Sequence, residues 1–233
     1  MSLLIGLTGL YCAGKNHVAS LLEQRGLPVL DVDRLGHEVL EAEREALVRR
    51  FGSGILDSAG RVDRRLLGAL VFGRPEALAA LEGIVHPGAN DLTGRWIDRQ
   101  TGPCVINAAL LHKSSAFPRL NAVMVVRAPW PVRFLRAWKR DALPPAALIR
   151  RFSSQKDFPF KGRRAQLFSS AADIYIVENP GFPGSRRNLE KRIDAILEGL
   201  QNHGNHGKEK ITAYGGFGGS IPGGCDKRGA PGL

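Results

Sequence analysis

The run Gly9-Leu10-Tyr11-Cys12-Ala13-Gly14-Lys15-Asn16 carries the strongest chemical signal in the chain. It follows the spacing G-x-x-x-x-G-K-[ST], in which glycines let consecutive backbone N–H groups converge on phosphate oxygens at a positive helix end. The lysine adds a point charge for the transferred phosphate. Asn16 stands at the last position, where a hydroxyl normally touches Mg²⁺; its amide offers a carbonyl oxygen from a longer, differently angled side chain. The pattern predicts nucleotide binding. It also sets Cys12 beside converging N–H groups and Lys15, which favour a thiolate.

Asp31 and Asp33 are the next reactive pair, at the end of the apolar run 28–32. Alternate residues at the carboxyl end of a buried parallel strand point to different faces near the ligand crevice, so one can reach a substrate hydroxyl. Helix N-capping by Asp33 is the competing reading. No metal-ligand cluster or nucleophilic triad competes for the chemistry. His17, His37 and His112 lack partners at useful spacing and read as surface or packing residues, and Trp96, Trp130 and Trp138 read as packing. Cys12, Cys104 and Cys225 are too few and scattered for a disulfide framework.

These groups need a scaffold, and the apolar periodicity supplies one. Short apolar runs at 3–8, 28–32, 104–108, 122–126 and 174–177 read as strands. Helical spacing predicts helices over 17–24, from the second strand through Arg50, and over 63–72, 75–85 and 87–99. Five short strands with helical connections imply a parallel sheet covered on both faces, the α/β three-layer arrangement.

The 233 residues are 43% hydrophobic and 24% charged, enough for a buried core. No apolar run reaches the roughly 18 to 20 residues that span a bilayer, and residues 1–9 lack the features of a secretory signal, so a cytoplasmic address is expected. Net charge is +11. Residues 127–164 hold eleven Lys/Arg against Asp141 and Asp157, so most of the excess is one local field. Such a field suits either a polyphosphate or a nucleic acid backbone, although interleaved aromatics for base stacking are lacking. From Asn202, ten of the last 32 residues are Gly. The expected organisation is therefore a domain over 1–201 and a mobile tail over 202–233.

In order along the chain, GLTG(x4)GK, VLDVD, FG..IL....GRVDR..L...VF, the His86-Pro87 pair, ALL, R...RD, Gln155 and AD.YIVEN.G resemble the dephospho-coenzyme A kinase family. The resemblance runs from about Leu4 to about Leu200. It implies a P-loop NTPase-type kinase with a core, acceptor-binding helices over about 57–100 and a basic lid over about 129–165. The implied activity is ATP-dependent phosphorylation of the ribose 3′-hydroxyl of dephospho-CoA, the last step in making coenzyme A, with Mg²⁺ and with no nucleic acid or membrane partner. A catalytically weak nucleotide-binding paralogue is the alternative.

By position, the resemblance makes Asp33 the base that orients and deprotonates the ribose hydroxyl. Thr8, Gly9, Cys12, Ala13, Gly14, Lys15 and Asn16, with the adjoining His17, would hold ATP, and Asn16 would be the metal contact. Arg140 is the lid arginine, and Asn179 and Gly181 border the adenine. Arg64, His86, Leu110 and Leu111 fall with Asp33 on the acceptor side. Besides Asn16, the chain departs from the family pattern at Ala109 and Lys113, where a proline and a carboxylate are usual, and at Pro180, which interrupts an Asn-Gly pair.

Overall fold

A computed structural model describes residues 3–71, 73–153, 172–182 and 184–203. Five strands, β1 (Leu4–Gly9), β2 (Val29–Asp31), β3 (Cys104–Asn107), β4 (Ala122–Arg127) and β5 (Asp173–Glu178), pair in parallel in the order β2-β3-β1-β4-β5. β1 and β3 are buried throughout and β4 in all but its last residue, as a parallel sheet with helices on both faces requires. The five apolar runs of the sequence are thus the five strands, displaced by a residue or two at their ends.

Alternation sorts the strand side chains between two layers. Leu4, Cys104, Ile106, Val123 and Val125 share one core with Leu111, Leu120 and Ile97. Ile5, Leu7, Val105, Met124 and Val126 alternate with them and are fully buried. Their side of the sheet is covered by α1 (Lys15–Glu23), whose Val18, Leu21 and Leu22 are buried. Arg25, just beyond α1, pairs with Asp194 of α8 (Ser185–His203), which brings those two helices together. β1 is the central strand, and its neighbours β3 and β4 lie on opposite sides. The carboxyl ends of β1 and β3 therefore open the crevice where doubly wound sheets bind ligands.

A second core lies beyond the sheet, where α3 (Arg44–Phe51) and α4 (Arg64–Val71) bury Leu47, Ile55, Leu67 and Val71. Leu81 and Ile84 of α5 (Pro75–Asp98) pack against it, while Trp96 and Ile97 of the same helix pack on the sheet core.

Two expectations about helices need correction. The stretch through Arg50 is not one helix: α2 (Val32–Ala42) ends at Glu43, whose φ of −91° and ψ of 15° redirect the chain. The turn delivers Leu47 to the second core. The two helices expected on either side of Pro87 are instead one, α5, with Pro87 inside it. Proline in a helix interior costs roughly 3 kcal/mol, but packing into a core on each side of it holds the backbone helical.

α6 (Trp130–Asp141) and α7 (Pro145–Ser153) form the described part of the basic segment. Trp96 packs on the sheet core, and Trp130, although about half exposed, stacks on Phe134 with ring centroids 5.2 Å apart; Trp138 is more than half exposed, contrary to the packing reading. No helix among the described residues is long and apolar enough to cross a membrane. Residues 1–197 form one compact unit, and α8 continues beyond it to His203. Gln155, the second half of the basic segment and the glycine-rich residues from 204 lie outside the described residues.

Candidate active site

The loop after β1 is shaped to present donors. Gly9 allows close approach to β4, since a Cβ there would lie 2.7 Å from the Val126 carbonyl oxygen. Gly14 has φ 95°, and a Cβ there would lie 2.2 Å from Asn179 Nδ2. No side chain caps α1, and its first turn carries no acid. Among the described residues no acceptor meets the N–H groups of Gly14, Lys15 and Asn16. A helix N-terminus with open donors and no competing carboxylate is an anion site.

Cys12 has φ 57°, a left-handed conformation uncommon for a side-chain-bearing residue. Burial pushes its thiol above the usual range and outweighs the opposing pull of Arg140 and Arg133. The expected thiolate is therefore corrected to a thiol: the charged form loses more solvation than those cations return.

β2 ends at Asp31, which is the N-cap of α2: its Oδ1 accepts the N–H groups of Asp33 at 3.0 Å and Arg34 at 3.2 Å. The cap is thus Asp31 and not Asp33. Asp33 lies in the first turn of α2, half exposed, and its Oδ2 is 2.8 Å from Lys15 Nζ. Its Oδ1 reaches the Ala109 N–H at 3.5 Å, beside the end of β3. The carboxylate and the phosphate-loop lysine thus occupy one site at the mouths of β1, β2 and β3.

Three arginines of α6 at spacing i, i+3, i+7 approach the loop from outside. Arg133, largely buried, donates Nε to the Tyr11 carbonyl at 2.8 Å. Arg136 donates Nη1 to the Ala13 carbonyl at 3.0 Å and Nη2 to the Asn179 carbonyl at 3.3 Å. Asn179 is buried and donates Nδ2 to the same Ala13 oxygen at 2.9 Å. Held outward in this way, the Ala13 carbonyl turns the Gly14 N–H toward the crevice, because the two point in opposite directions across one peptide plane. Gly181, φ 73°, lets Arg136 pass: a Cβ there would lie 2.3 Å from Nη2. Arg140 pairs through Nε with Asp141 Oδ1 at 2.7 Å and lies over the Tyr11 ring. That hydrogen bond raises the Arg140 pKa and lowers that of Asp141.

Of the remaining expected site residues, some reach the crevice and some do not. Thr8 is fully buried, with Oγ1 donating to the Ala109 carbonyl at 3.3 Å, so its hydroxyl braces the two strand ends instead of facing phosphate. Leu111 is also fully buried, in the space left by Gly6, where a Cβ would lie 2.6 Å from Leu111 Cδ2. It is a core residue and not an acceptor contact. Leu110 is exposed. Asn16 and His17 are exposed at the start of α1. Asn16 Oδ1 accepts from Asn107 Nδ2 at 3.4 Å, and Asn107 Oδ1 is buried without a partner.

Arg64 does not stand alone, because it contacts His37 Nδ1 at 3.0 Å; the reading of His37 as partnerless is corrected accordingly. His86 is half-buried on α5. Lys113 pairs with Glu82 of α5 at 3.0 Å. Tyr11, Arg133, Arg136, Asn107 and Asp141 are site residues the sequence reading passed over. The arginine spacing on one helical face was the available signal for two of them.

An anion-binding helix end, a lysine beside a carboxylate and an arginine cluster are the parts of a phosphoryl-transfer site. The comparisons agree. The sequence matches the dephospho-CoA kinase family model over residues 3–178. It is similar to the dephospho-CoA kinase of Thermus thermophilus, 34% identical over 207 residues that cover 88% of this chain and 96% of the relative. The Geobacter sulfurreducens dephospho-CoA kinase is 32% identical over 200 residues, covering 83% and 96%. A crystal structure from Thermus thermophilus aligns with TM-score 0.69 at 33% identity, over 85% of this chain and 98% of that one. The structure of the Campylobacter jejuni dephospho-CoA kinase shares the fold, with TM-score 0.55 at 21% identity over 84% and 96%. With the phosphate loop, the strand order and the match over most of the chain in agreement, this protein belongs to the dephospho-CoA kinase family.

Proposed function

We propose that this kinase transfers the γ-phosphoryl group of ATP to the ribose 3′-hydroxyl of dephospho-CoA with Asp33 as general base, Lys15 as phosphate anchor and Arg140 as the neutralising cation. The observation that carries the reading is the 2.8 Å contact between Lys15 Nζ and Asp33 Oδ2. A phosphate held by Lys15 and a hydroxyl held by Asp33 are then neighbours in one site, which is the positioning that phosphoryl transfer needs. Asp33 takes the hydroxyl proton as the ribose oxygen bonds to the γ-phosphorus and the bond to the ADP oxygen breaks. The open N–H groups of Gly14, Lys15 and Asn16 hold the donor phosphates, with Arg136 and Asn179 fixing the loop's carbonyls from behind. The helices over 57–100, with Arg64 and His86, form the acceptor side, and α6 and α7 of the basic segment form the lid.

The residues fit a magnesium ion carried with ATP. Mg²⁺ keeps several waters and binds through substrate phosphates and one or two protein oxygens, and Asn16, exposed at the start of α1, carries a side-chain oxygen. Asn16 Oδ1 would supply such an oxygen, and the ion when bound offsets charge on the β- and γ-phosphates.

Coupled ADP release measured with dephospho-CoA, AMP, adenosine and shikimate as acceptors tests the reading. Turnover should be far higher with dephospho-CoA. Equal or better turnover with another acceptor overturns the proposed substrate.

A further inference from the structure

Tyr11 occupies an interior position of the phosphate loop, yet its side chain is committed to α6 and α7. Its hydroxyl forms a short hydrogen bond to Asp141 Oδ2, and Arg151 Nη1 lies 3.4 Å from the same phenolic oxygen. Its ring meets Phe152 edge-on, with centroids 5.2 Å apart. Arg140 lies over that ring with Cζ 5.2 Å from the centroid, while its Nε and Nη2 contact the two oxygens of Asp141 at 2.7 and 3.3 Å. Two surfaces therefore set the Arg140 guanidinium, a carboxylate edge and an aromatic face. Tyr11 supplies the face and tethers the edge. Its own backbone carbonyl is held by Arg133 from the same helix.

We propose that Tyr11 is a positioning residue for Arg140, tying the phosphate loop to the carboxylate and ring that fix where the guanidinium stands. The inference rests on the reading of Arg140 as the group that meets charge developing on the transferred phosphoryl. A long cationic side chain at a helix end loses rotamer freedom when it must find that charge during reaction, and a preorganised one does not. The tether starts inside the loop that grips the phosphates, so one residue fixes where the guanidinium stands relative to that loop.

The test is a double-mutant cycle on the full chain, read by single-turnover rate, ATP affinity from equilibrium binding, and melting temperature. Tyr11→Phe keeps the ring and removes the hydrogen bond to Asp141. It should slow the chemical step about tenfold, with ATP affinity near that of the wild type and a melting temperature lower by no more than a few degrees. Tyr11→Leu, which also removes the aromatic face, should slow it by about 10²-fold. In an Arg140→Ala background, itself slow, neither change should add a further loss, because the group they position is gone. Equal losses in both backgrounds overturn the role of Tyr11 and leave that of Arg140 standing. A fall in ATP affinity as large as the fall in rate also overturns it, by making Tyr11 a part of the loop's frame. Wild-type rate in Arg140→Ala alone overturns the reading on which the proposal rests.

Discussion

Asp31 Oδ1 accepts the backbone N–H of Asp33 at 3.0 Å, so the first carboxylate of the pair fixes the backbone that presents the second. The division of labour follows from chain geometry. β2 stops at Asp31, the cap uses that side chain, and Asp33 is left to meet Lys15. Asp33→Asn keeps size and hydrogen bonding but accepts a proton poorly. Turnover is expected to fall by about 10²- to 10⁴-fold with little change in ATP affinity. Asp31→Asn should be nearly silent because Asn caps as well as Asp, while Asp31→Ala should cost about 1 kcal/mol in stability. Near-normal turnover in Asp33→Asn, measured with dephospho-CoA, would remove Asp33 from the role of base.

Leu111 should behave as a core residue. Leu111→Ala leaves a cavity over Gly6 and is expected to destabilise the fold by about 2–5 kcal/mol in denaturant unfolding. Gly6→Ala attacks the same contact from the other side, since its new Cβ would stand 2.6 Å from Leu111 Cδ2, and overpacking of this kind costs about 1–3 kcal/mol. A raised KM for the acceptor with unchanged stability in Leu111→Ala would return the residue to the binding surface.

Cys12 should be a slow nucleophile despite its place in the phosphate loop. Burial holds its thiol protonated above the usual pKa, so alkylation by iodoacetamide at pH 7 is expected to run slower than that of free cysteine and to climb with pH. Bound ATP should slow it further by covering the loop. A rate above that of free cysteine, level from pH 6 to 8, contradicts the assignment.

The Asp141 cluster gives a dependence on acid. Its carboxyl is held below the usual range, first by the hydrogen bond from Arg140 and then by those with Tyr11 and nearby arginines. A depressed carboxyl contributes stability that is complete above its unfolded pKa of about 3.9 and is lost as pH falls through the folded value. Asp141→Asn should therefore lower the melting temperature by a few degrees at neutral pH, and the difference should shrink only below about pH 4. A difference that instead vanishes on raising the pH from 6 to 8 would point to another group.

Much of this was legible from residue order. The loop spacing, the strand-ending aspartates and five apolar runs placed the crevice and two of its charged groups, because these signals are local. The rest depended on contacts between distant segments. Leu111 is buried because Gly6, far away in the chain, has no side chain, and the run Leu110-Leu111 carries no mark of which leucine turns inward. Arg133, Arg136 and Arg140 share a helical face, but the face they share with the loop appears only when α6 is laid against it. The identity of the cap depended on one residue of strand length. Helices were misjudged where tertiary packing overrode local preference, at Glu43 and at Pro87.

Pro87 carries no N–H, so the Gly83 carbonyl one turn back has no helical donor. The missing rung falls between Leu81 and Ile84, which share the outer core, and Trp96 and Ile97, which share the sheet core. Opening that begins in the outer core is expected to slow at this weakened rung, where one bond of the turn is absent and the packing partner of α5 changes from one core to the other. Amide exchange should divide α5 into two blocks of different protection, the second exchanging with the sheet. A continuous helix is then expected to exchange as two cooperative units, with a single absent hydrogen at the boundary.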